Sequence, residues 1–268
     1  MDQDGVSKKN APTPVVLSPF LLYELAVTNP LPLARFLHAV HGKNPRILRE
    51  DFSGSGSLAK GWADHFGRAI AVDQDAHPLS FSQGIKDLTT IAAEVHSCRA
   101  RADIIAATNF PLGYLHTRNA LLAYLRHARA CLKPRGVFAA DIYGGGDAFA
   151  PGKTTRKLTG PNGEAVLYVW EQAAAFPQSG RVHNAIHFKV TPKRSTRATW
   201  FRNAFTYDWR LWSIPELRDA FAEAGFRTVE VYDRIGDALD ADGRLYVKPL
   251  KDGEPMDDPY VVYVVGRR

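Results

Sequence analysis

Cysteine is scarce: Cys98 and Cys131 are the only two in 268 residues, and their spacing matches no metal motif. Two thiols cannot build a disulfide framework, so a reducing compartment is the default. Long apolar runs are missing as well. No stretch approaches the roughly 20 residues that a bilayer-spanning helix needs. The opening MDQDGVSKKNAPTPVV is polar and proline-bearing, with no apolar core of signal-peptide length. These absences predict a cytoplasmic protein with no membrane association. There is no Cys-x-x-Cys pair and no Gly-x-Ser-x-Gly elbow, so neither a metal site nor acyl chemistry is expected. Acidic residues are the minority sign, 28 against 34 Lys and Arg, for a net charge of +6. Much of the excess lies where Arg99, Arg101, Arg118, Arg126, Arg129, Lys133 and Arg135 face only Asp103. These positions scatter over a loop, a helix and a turn, which reads as a solvated helix face in preference to a nucleic-acid track.

What is present is concentrated in Arg46 to Asp75. Ile47 and Leu48 open an apolar strand, Ser53-Gly54-Ser55-Gly56 make a turn, and Leu58, Trp62 and Phe66 mark one face of a helix. A second strand, Ala69 to Val72, ends at Asp73. Strand, glycine turn, helix and strand in this order form a nucleotide-binding half-fold. The glycines allow a sharp turn and close ligand approach, and the acid about 20 positions on can accept from ribose hydroxyls. Gly54-Ser55-Gly56-Ser57-Leu58-Ala59 also satisfies the dinucleotide pattern. The acidic pair Glu50-Asp51 before the turn discriminates: it attracts the cationic amino-acid end of S-adenosylmethionine and repels a pyrophosphate.

The phrases YELAVTNP (23–30), LREDFSGSGSLAKGW (48–62), AVDQD (71–75), NFPLGYLHTR (109–118), LKPRGVFAADIYGG (132–145) and FTYDWRLWSIPELRDAFAEAGF (205–226) span nearly the whole chain. In them the sequence resembles class I S-adenosylmethionine-dependent methyltransferases, in particular a bacterial group with a Leu-Arg-Glu-Asp-Phe phrase at the first strand. Against the family motif of an acid and three glycines, Glu50, Gly54 and Gly56 match, and Phe52 replaces the first glycine. The resemblance implies an α/β, doubly wound, seven-stranded Rossmann-like sheet and S-adenosyl-L-methionine as cofactor, leaving S-adenosyl-L-homocysteine. Tyr23, Glu50, Phe52, Ser53, Gly54, Gly56, Asp73, Gln74 and Asn109 are the expected cofactor-binding residues.

Along the chain, the first dozen residues read as a disordered tail, and apolar spacing from Pro19 to His41 predicts two helices split at Asn29-Pro30. Such helices in the resembling enzymes lie across the cofactor mouth. Residues 1–45 are thus tail and cap, and residues 46–148 and 210–268 form the core. In the core, Pro78 to Leu88 reads as a helix, Ile91 to Val95 and Asp103 to Thr108 as strands, Thr117 to Lys133 as a helix and Val137 to Ile142 as a strand. A polar residue at a strand's carboxyl end enters the ligand crevice, which nominates Asn109 and Tyr143.

Residues 149–209 change texture: Ala165 to Glu171, Arg181 to Val190 and Thr199 to Trp209 read as three antiparallel strands, inserted after the fifth core strand as a substrate lid or homodimer surface. Ser213 to Gly225 carries a capping box, and two strands, Phe226 to Tyr232 and Pro259 to Gly266, close the sheet. Asn109, Tyr143, Tyr207 and Arg210 are the candidate catalytic groups, with Tyr114 and His116 nearby. His183 and His187 share a strand face.

The expected activity is in-line transfer of a methyl group to a small-molecule N or O acceptor, with no metal. Three other readings stay open: an RNA methyltransferase, a non-catalytic protein keeping the cofactor as a structural ligand, and a nicotinamide oxidoreductase.

Overall fold

The computed structural model describes residues 16–236, 238–239 and 245–268. The expected N-terminal tail lies outside the described residues. A central sheet is assembled from β1 (Ile47–Asp51), β2 (Arg68–Asp73), β3 (Leu88–Ala92), β4 (Ala102–Ala107), β5 (Leu132–Gly144), β10 (Thr228–Tyr232) and β13 (Tyr260–Arg267), in the order β10-β13-β5-β4-β1-β2-β3. The pairs β1/β2, β2/β3, β1/β4 and β4/β5 are parallel, and β13 runs antiparallel to both β5 and β10. The order of strand addition reverses at β1/β4, where a doubly wound fold opens its ligand crevice.

Strict alternation in β4 shows why both faces are covered. Ile104 and Ala106 pack with Phe36, Leu37, Leu58 and Trp62, from α2 (Pro30–His41) and α3 (Ser57–His65). Ile105 and Ala107 point the other way, to Leu121, Leu125, Leu217 and Phe221 of α5 (Arg118–Cys131) and α6 (Ile214–Glu223). A strand buried on both faces reads as a continuous apolar run, as DIIAA does. Helix ends follow the local signals: Thr117 caps α5, and Ser213 with Glu216 forms both halves of the box at α6.

The second layer is a four-stranded antiparallel sheet, β6 (Gly152–Thr159), β7 (Ala165–Phe176), β8 (Arg181–Thr191) and β9 (Thr199–Arg210). Its apolar face packs on α1 (Pro19–Val27): Leu22 and Ala26 meet Val166, Tyr168, Ile186 and Phe188. The two N-terminal helices therefore belong to different layers, α1 to the inserted sheet and α2 to the core.

Three expectations need correction. The inserted sheet has four strands, because β6, KTTRKLT, is an edge strand exposed almost throughout and lacks the alternation that marks a half-buried strand. The helix expected over Pro78 to Leu88 shrinks to α4 (Ala76–Leu79) and a 3-10 turn at Ser80–Ser82, ending before Gly84, which has φ +77°. The strand expected over Ile91 to Val95 lies three residues earlier, because β3 takes its register from β2, Ala69 to Leu88 through Asp73 to Ala92. A short pair, β11 (Ala238–Leu239) and β12 (Leu245–Tyr246), interrupts the excursion before β13. Among the described residues no helix is long and apolar enough to cross a membrane.

Candidate functional site

The loop joining β1 to α3 is held by acids. Ser53 N–H donates to the Val72 carbonyl at 3.0 Å, Gly54 N–H to Asp73 Oδ2 at 2.8 Å, and Asp75 N–H to Asp73 Oδ1 at 3.0 Å. Asp73 thus pins the glycine turn to the end of β2. Glu50 Oε2 accepts from Ala59 N–H at 2.8 Å inside the first turn of α3. Burial pushes the Glu50 carboxyl up to about 8, against the backbone N–H bonds from Ala59 and Leu58 that pull it down. Gly56, at φ +70°, has no room for a side chain: a Cβ would lie 2.9 Å from Ser82 Oγ. It shapes the turn without lining the cavity in front of it.

That cavity, about 580 Å³, opens at the carboxyl ends of β1, β2, β3 and β4 beneath α1 and β9. Glu50, Phe52, Ser53, Gly54, Ser55 and Ser57 form its floor. Asp73, Gln74 and Asp75 follow β2, and Glu94, Val95 and His96 follow β3. Thr108, Asn109, Pro111 and Tyr114 follow β4, and the roof is Phe20, Tyr23 and Thr28 from the N-terminal segment with Phe205, Tyr207 and Trp209 from β9. Eight of the nine residues expected around a cofactor, all but Gly56, line this one space. Ser53 is nine-tenths buried, and its hydroxyl has no hydrogen-bond partner within the protein.

Backbone strain gathers at the rim. Phe52, Asn109 and Phe110 are non-glycine residues in the left-handed region, at φ +55°, +70° and +66°. Phe52 takes the conformation that the missing first glycine of the motif would take freely. Asn109 and Phe110 are held by Asp141, whose carboxylate accepts both of their N–H groups at 3.0 and 2.8 Å. Burial still pushes the Asp141 carboxyl up to about 6.

Behind Phe52 lies a buried polar network. Arg49 makes a two-pronged pair with Asp51 at 2.7 and 2.8 Å and donates to the Ala100 carbonyl at 2.9 Å; Tyr124 O–H donates to Asp51 Oδ2 at 2.9 Å. The Tyr124 ring meets Phe52 edge-on at 5.4 Å and His96 at 5.7 Å. Arg49 and Asp51, both fully buried, therefore brace two walls of the cavity from behind.

Tyr143 and Arg210, expected with Asn109 and Tyr207 as catalytic candidates, sit elsewhere. Both line a neighbouring cleft on the far side of Trp209. Tyr143 O–H accepts from Asn184 Nδ2 at 3.1 Å, and its own hydroxyl is pushed up to about 12 by burial. Arg210 is spent on the His116 carbonyl, on Glu216, and on the face of Trp212 at 3.7 Å. β9 explains the separation: its side chains alternate, so Phe205, Tyr207 and Trp209 face the cavity and residue 210 cannot. His116 Nε2 lies 2.7 Å from the Asp208 carbonyl, outside the cavity. His183 and His187 do not converge on a ligand: the first is beside Asp208, the second beside Glu171 at 3.0 Å. Among the described residues no group of three or more His, Cys, Asp or Glu is placed to hold a metal ion.

No protein-family model matches the chain, and no curated protein matches it either. Solved structures do. An S-adenosylmethionine-dependent methyltransferase from Clostridium acetobutylicum is similar at TM-score 0.66 and 16% identity, over 91% of this chain and 96% of that one. The sugar N-methyltransferase KedS8 from Streptoalloteichus aligns at TM-score 0.67 and 14% identity, over 100% and 99%. CalS10 from Micromonospora echinaspora, an amino pentose methyltransferase solved with S-adenosylmethionine bound, aligns at 0.65 and 14%, over 96% and 100%. The fold is that of S-adenosylmethionine-dependent methyltransferases.

Within this methyltransferase fold, several cavity residues carry no signal in sequence. Ser55 and Ser57 pass for turn residues, yet Ser55 Oγ donates to Glu24 at 2.5 Å and Ser57 Oγ to Thr28 at 2.9 Å, tying α1 to the loop. Lys60 Nζ joins the same Glu24 oxygen at 2.5 Å. Val95 and His96 fall in an irregular stretch after β3. Trp209 reads as core, and it is buried, but it also lines the cavity.

Proposed function

We propose that the protein is an S-adenosylmethionine-dependent methyltransferase acting on an N or O atom of a small molecule. The observation that carries this reading is the cavity at the β1/β4 switch point, with a glycine turn beneath it, an acid at the end of β2, and a buried serine hydroxyl left unpaired. The residues fit the cofactor's chemistry. Asp73 and Asp75 suit ribose hydroxyls, Val95 with His96 suits a planar base, and the Ser53 hydroxyl with the Glu50 carboxyl suits a zwitterionic amino-acid end. Bound S-adenosylmethionine would supply an electrophilic methyl on a sulfonium. The chain supplies orientation and exclusion of water: α1 and β9 roof the cavity, and Asn109 stands at the rim between floor and roof. Holding the acceptor collinear with the methyl yields effective molarities of order ~10⁵ M or more.

The test is a thermal-shift titration with S-adenosylmethionine, S-adenosylhomocysteine and NAD. Both sulfur ligands should raise the melting temperature, by an amount corresponding to ~2.7 kcal/mol at a hundredfold excess over Kd, and NAD should leave it unchanged. A rise with NAD alone transfers the site to a nicotinamide oxidoreductase; no rise with any of the three removes the reading. Three of the seven basic residues from 99 to 135 are ion-paired within the chain: Arg118 and Arg126 both pair with Glu223, and Lys133 pairs with Asp103.

A further inference from the structure

The two ends of the cavity differ in chemistry. Three of its four carboxyl groups, Asp73, Asp75 and Glu94, follow β2 and β3, at one end, and the fourth, Glu50, is buried in the floor. The other end is a continuous belt of rings. Phe20 meets Phe205 at 5.5 Å, Tyr23 meets Phe205 at 5.0 Å, Tyr207 stacks on Trp209 at 4.3 Å, and Trp209 meets Tyr114 edge-on at 6.0 Å. In a chain of net charge +6, no lysine or arginine is among the described residues that line this cavity.

Resting on the methyltransferase reading, we infer that the aromatic end of the cavity, Phe20, Tyr23, Tyr114, Phe205, Tyr207 and Trp209, is an acceptor site for amines, and that the transfer it hosts is N-methylation.

Three physical arguments converge. Ring faces attract a cation within about 6 Å by their quadrupole, worth ~2 kcal/mol when desolvated. An anionic acceptor would meet no counter-ion here, and would face three carboxylates across the cavity. The third argument concerns the proton. A hydroxyl acceptor must lose its proton as the new bond forms, so it needs a base. At the aromatic end the titratable groups are phenols, and burial raises the pKa of Tyr23 and Tyr207, which interact with each other. The two buried carboxyls of the site are committed to backbone, Asp141 to the Asn109 and Phe110 N–H groups and Glu50 to the Ala59 N–H group.

An amine held as its ammonium has no free lone pair and first gives one proton to water; the neutral amine then needs no further base during the transfer. Its nitrogen lone pair forms the N–C bond as the S–C bond breaks, and the bonding pair leaves on sulfur to give S-adenosylhomocysteine. Positive charge passes from sulfur to nitrogen, and the surplus proton on nitrogen is given up afterwards to water. The cationic charge thus moves toward the rings, which stabilise it throughout.

The test uses three isosteric probes on protein saturated with S-adenosylhomocysteine: choline, 3,3-dimethylbutan-1-ol and 3,3-dimethylbutanoate. Calorimetry or ligand-observed NMR should give choline at least ~10-fold tighter binding than the neutral alcohol, with the carboxylate weakest. Phe205→Leu and Tyr207→Leu, each checked for an intact fold by its melting transition, should reduce that ratio toward one while keeping S-adenosylhomocysteine affinity. Equal affinity for choline and the alcohol, no binding of choline, or preference for the carboxylate overturns the inference. S-adenosylhomocysteine affinity is measured first in the same sample, so failure of the cofactor reading shows separately, and the choline-to-alcohol ratio is then read on the ligand-free protein.

Discussion

At the scale of single residues, the site rests on acids that hold backbone as much as they face a ligand. Asp73 is the clearest case, because its two oxygens already accept from Gly54 and Asp75 N–H groups while the residue lines the cavity. Asp73→Ala therefore removes a ribose partner and releases the turn together. It should weaken S-adenosylmethionine binding by tenfold or more, about 1.4 kcal/mol, in isothermal calorimetry; unchanged affinity would sink the assignment. Asp73→Asn keeps one acceptor oxygen and should fall between the two. Phe52 carries the complementary lesson. As a departure from the glycine motif it suggests a damaged loop, yet it adopts the left-handed backbone at a cost of order 1–3 kcal/mol. Packing against Tyr124 and, above it, Tyr114 offsets that strain.

At the scale of elements, β9 decides which residues meet the acceptor, and its position is set by a close approach to the turn after β4. Gly113 lies in the 3-10 turn Pro111–Tyr114, where an added Cβ would be 2.7 Å from Trp209 Cβ and Cγ. Gly113→Ala must displace Trp209, which lines the cavity, and the strand carrying it. We expect a destabilisation of ~1–3 kcal/mol. Affinity for S-adenosylhomocysteine should stay within about threefold, because the glycine loop is on the other side, and any methyl-transfer activity or choline binding should fall at least tenfold. Equal losses at both ends would show that the cavity does not divide into cofactor and acceptor halves.

At the scale of the whole molecule, buried carboxyls set the response to pH. Glu50 and Asp141 are both raised, to about 8 and about 6, mainly by burial. A raised folded value means that the native state keeps a proton the unfolded chain releases. Their contribution is present in full below about pH 4 and is lost as pH rises through 6 and then 8. Each carboxyl lowers unfolding free energy by at most ~1.4 kcal/mol per pH unit inside its window. Above the range in which His38, His41 and His127, all lowered by burial, favour the folded state as pH rises, the urea midpoint of ligand-free protein should fall between pH 7 and pH 8, and Glu50→Gln should flatten that slope. A wild-type midpoint independent of pH over this range would contradict the burial of Glu50. Self-association through residues 149–209 is a separate proposal for the whole molecule, and sedimentation velocity decides it.

The sequence by itself determined the layered core and one half of the cavity. A nucleotide-binding half-fold is local: strand, turn, helix and terminal acid lie within about 30 residues, and each is marked by periodicity or by residues that few other structures require. For that reason Glu50, Ser53, Gly54, Asp73 and Gln74 could be named in advance, and all line one cavity. In the other half Tyr23, Asn109, Tyr114 and Tyr207 were also named from sequence, and the tertiary structure decided the rest. The edge strand β6 has no buried face to leave an alternating pattern, so it escaped notice. Tyr143 and Arg210 stood at plausible positions, but the register of β9 and the wall made by Trp209 put them in the next cleft. Glu24, Ser55 and Lys60 meet across 36 positions of sequence. Contacts of that range depend on how layers stack, and no local pattern records them.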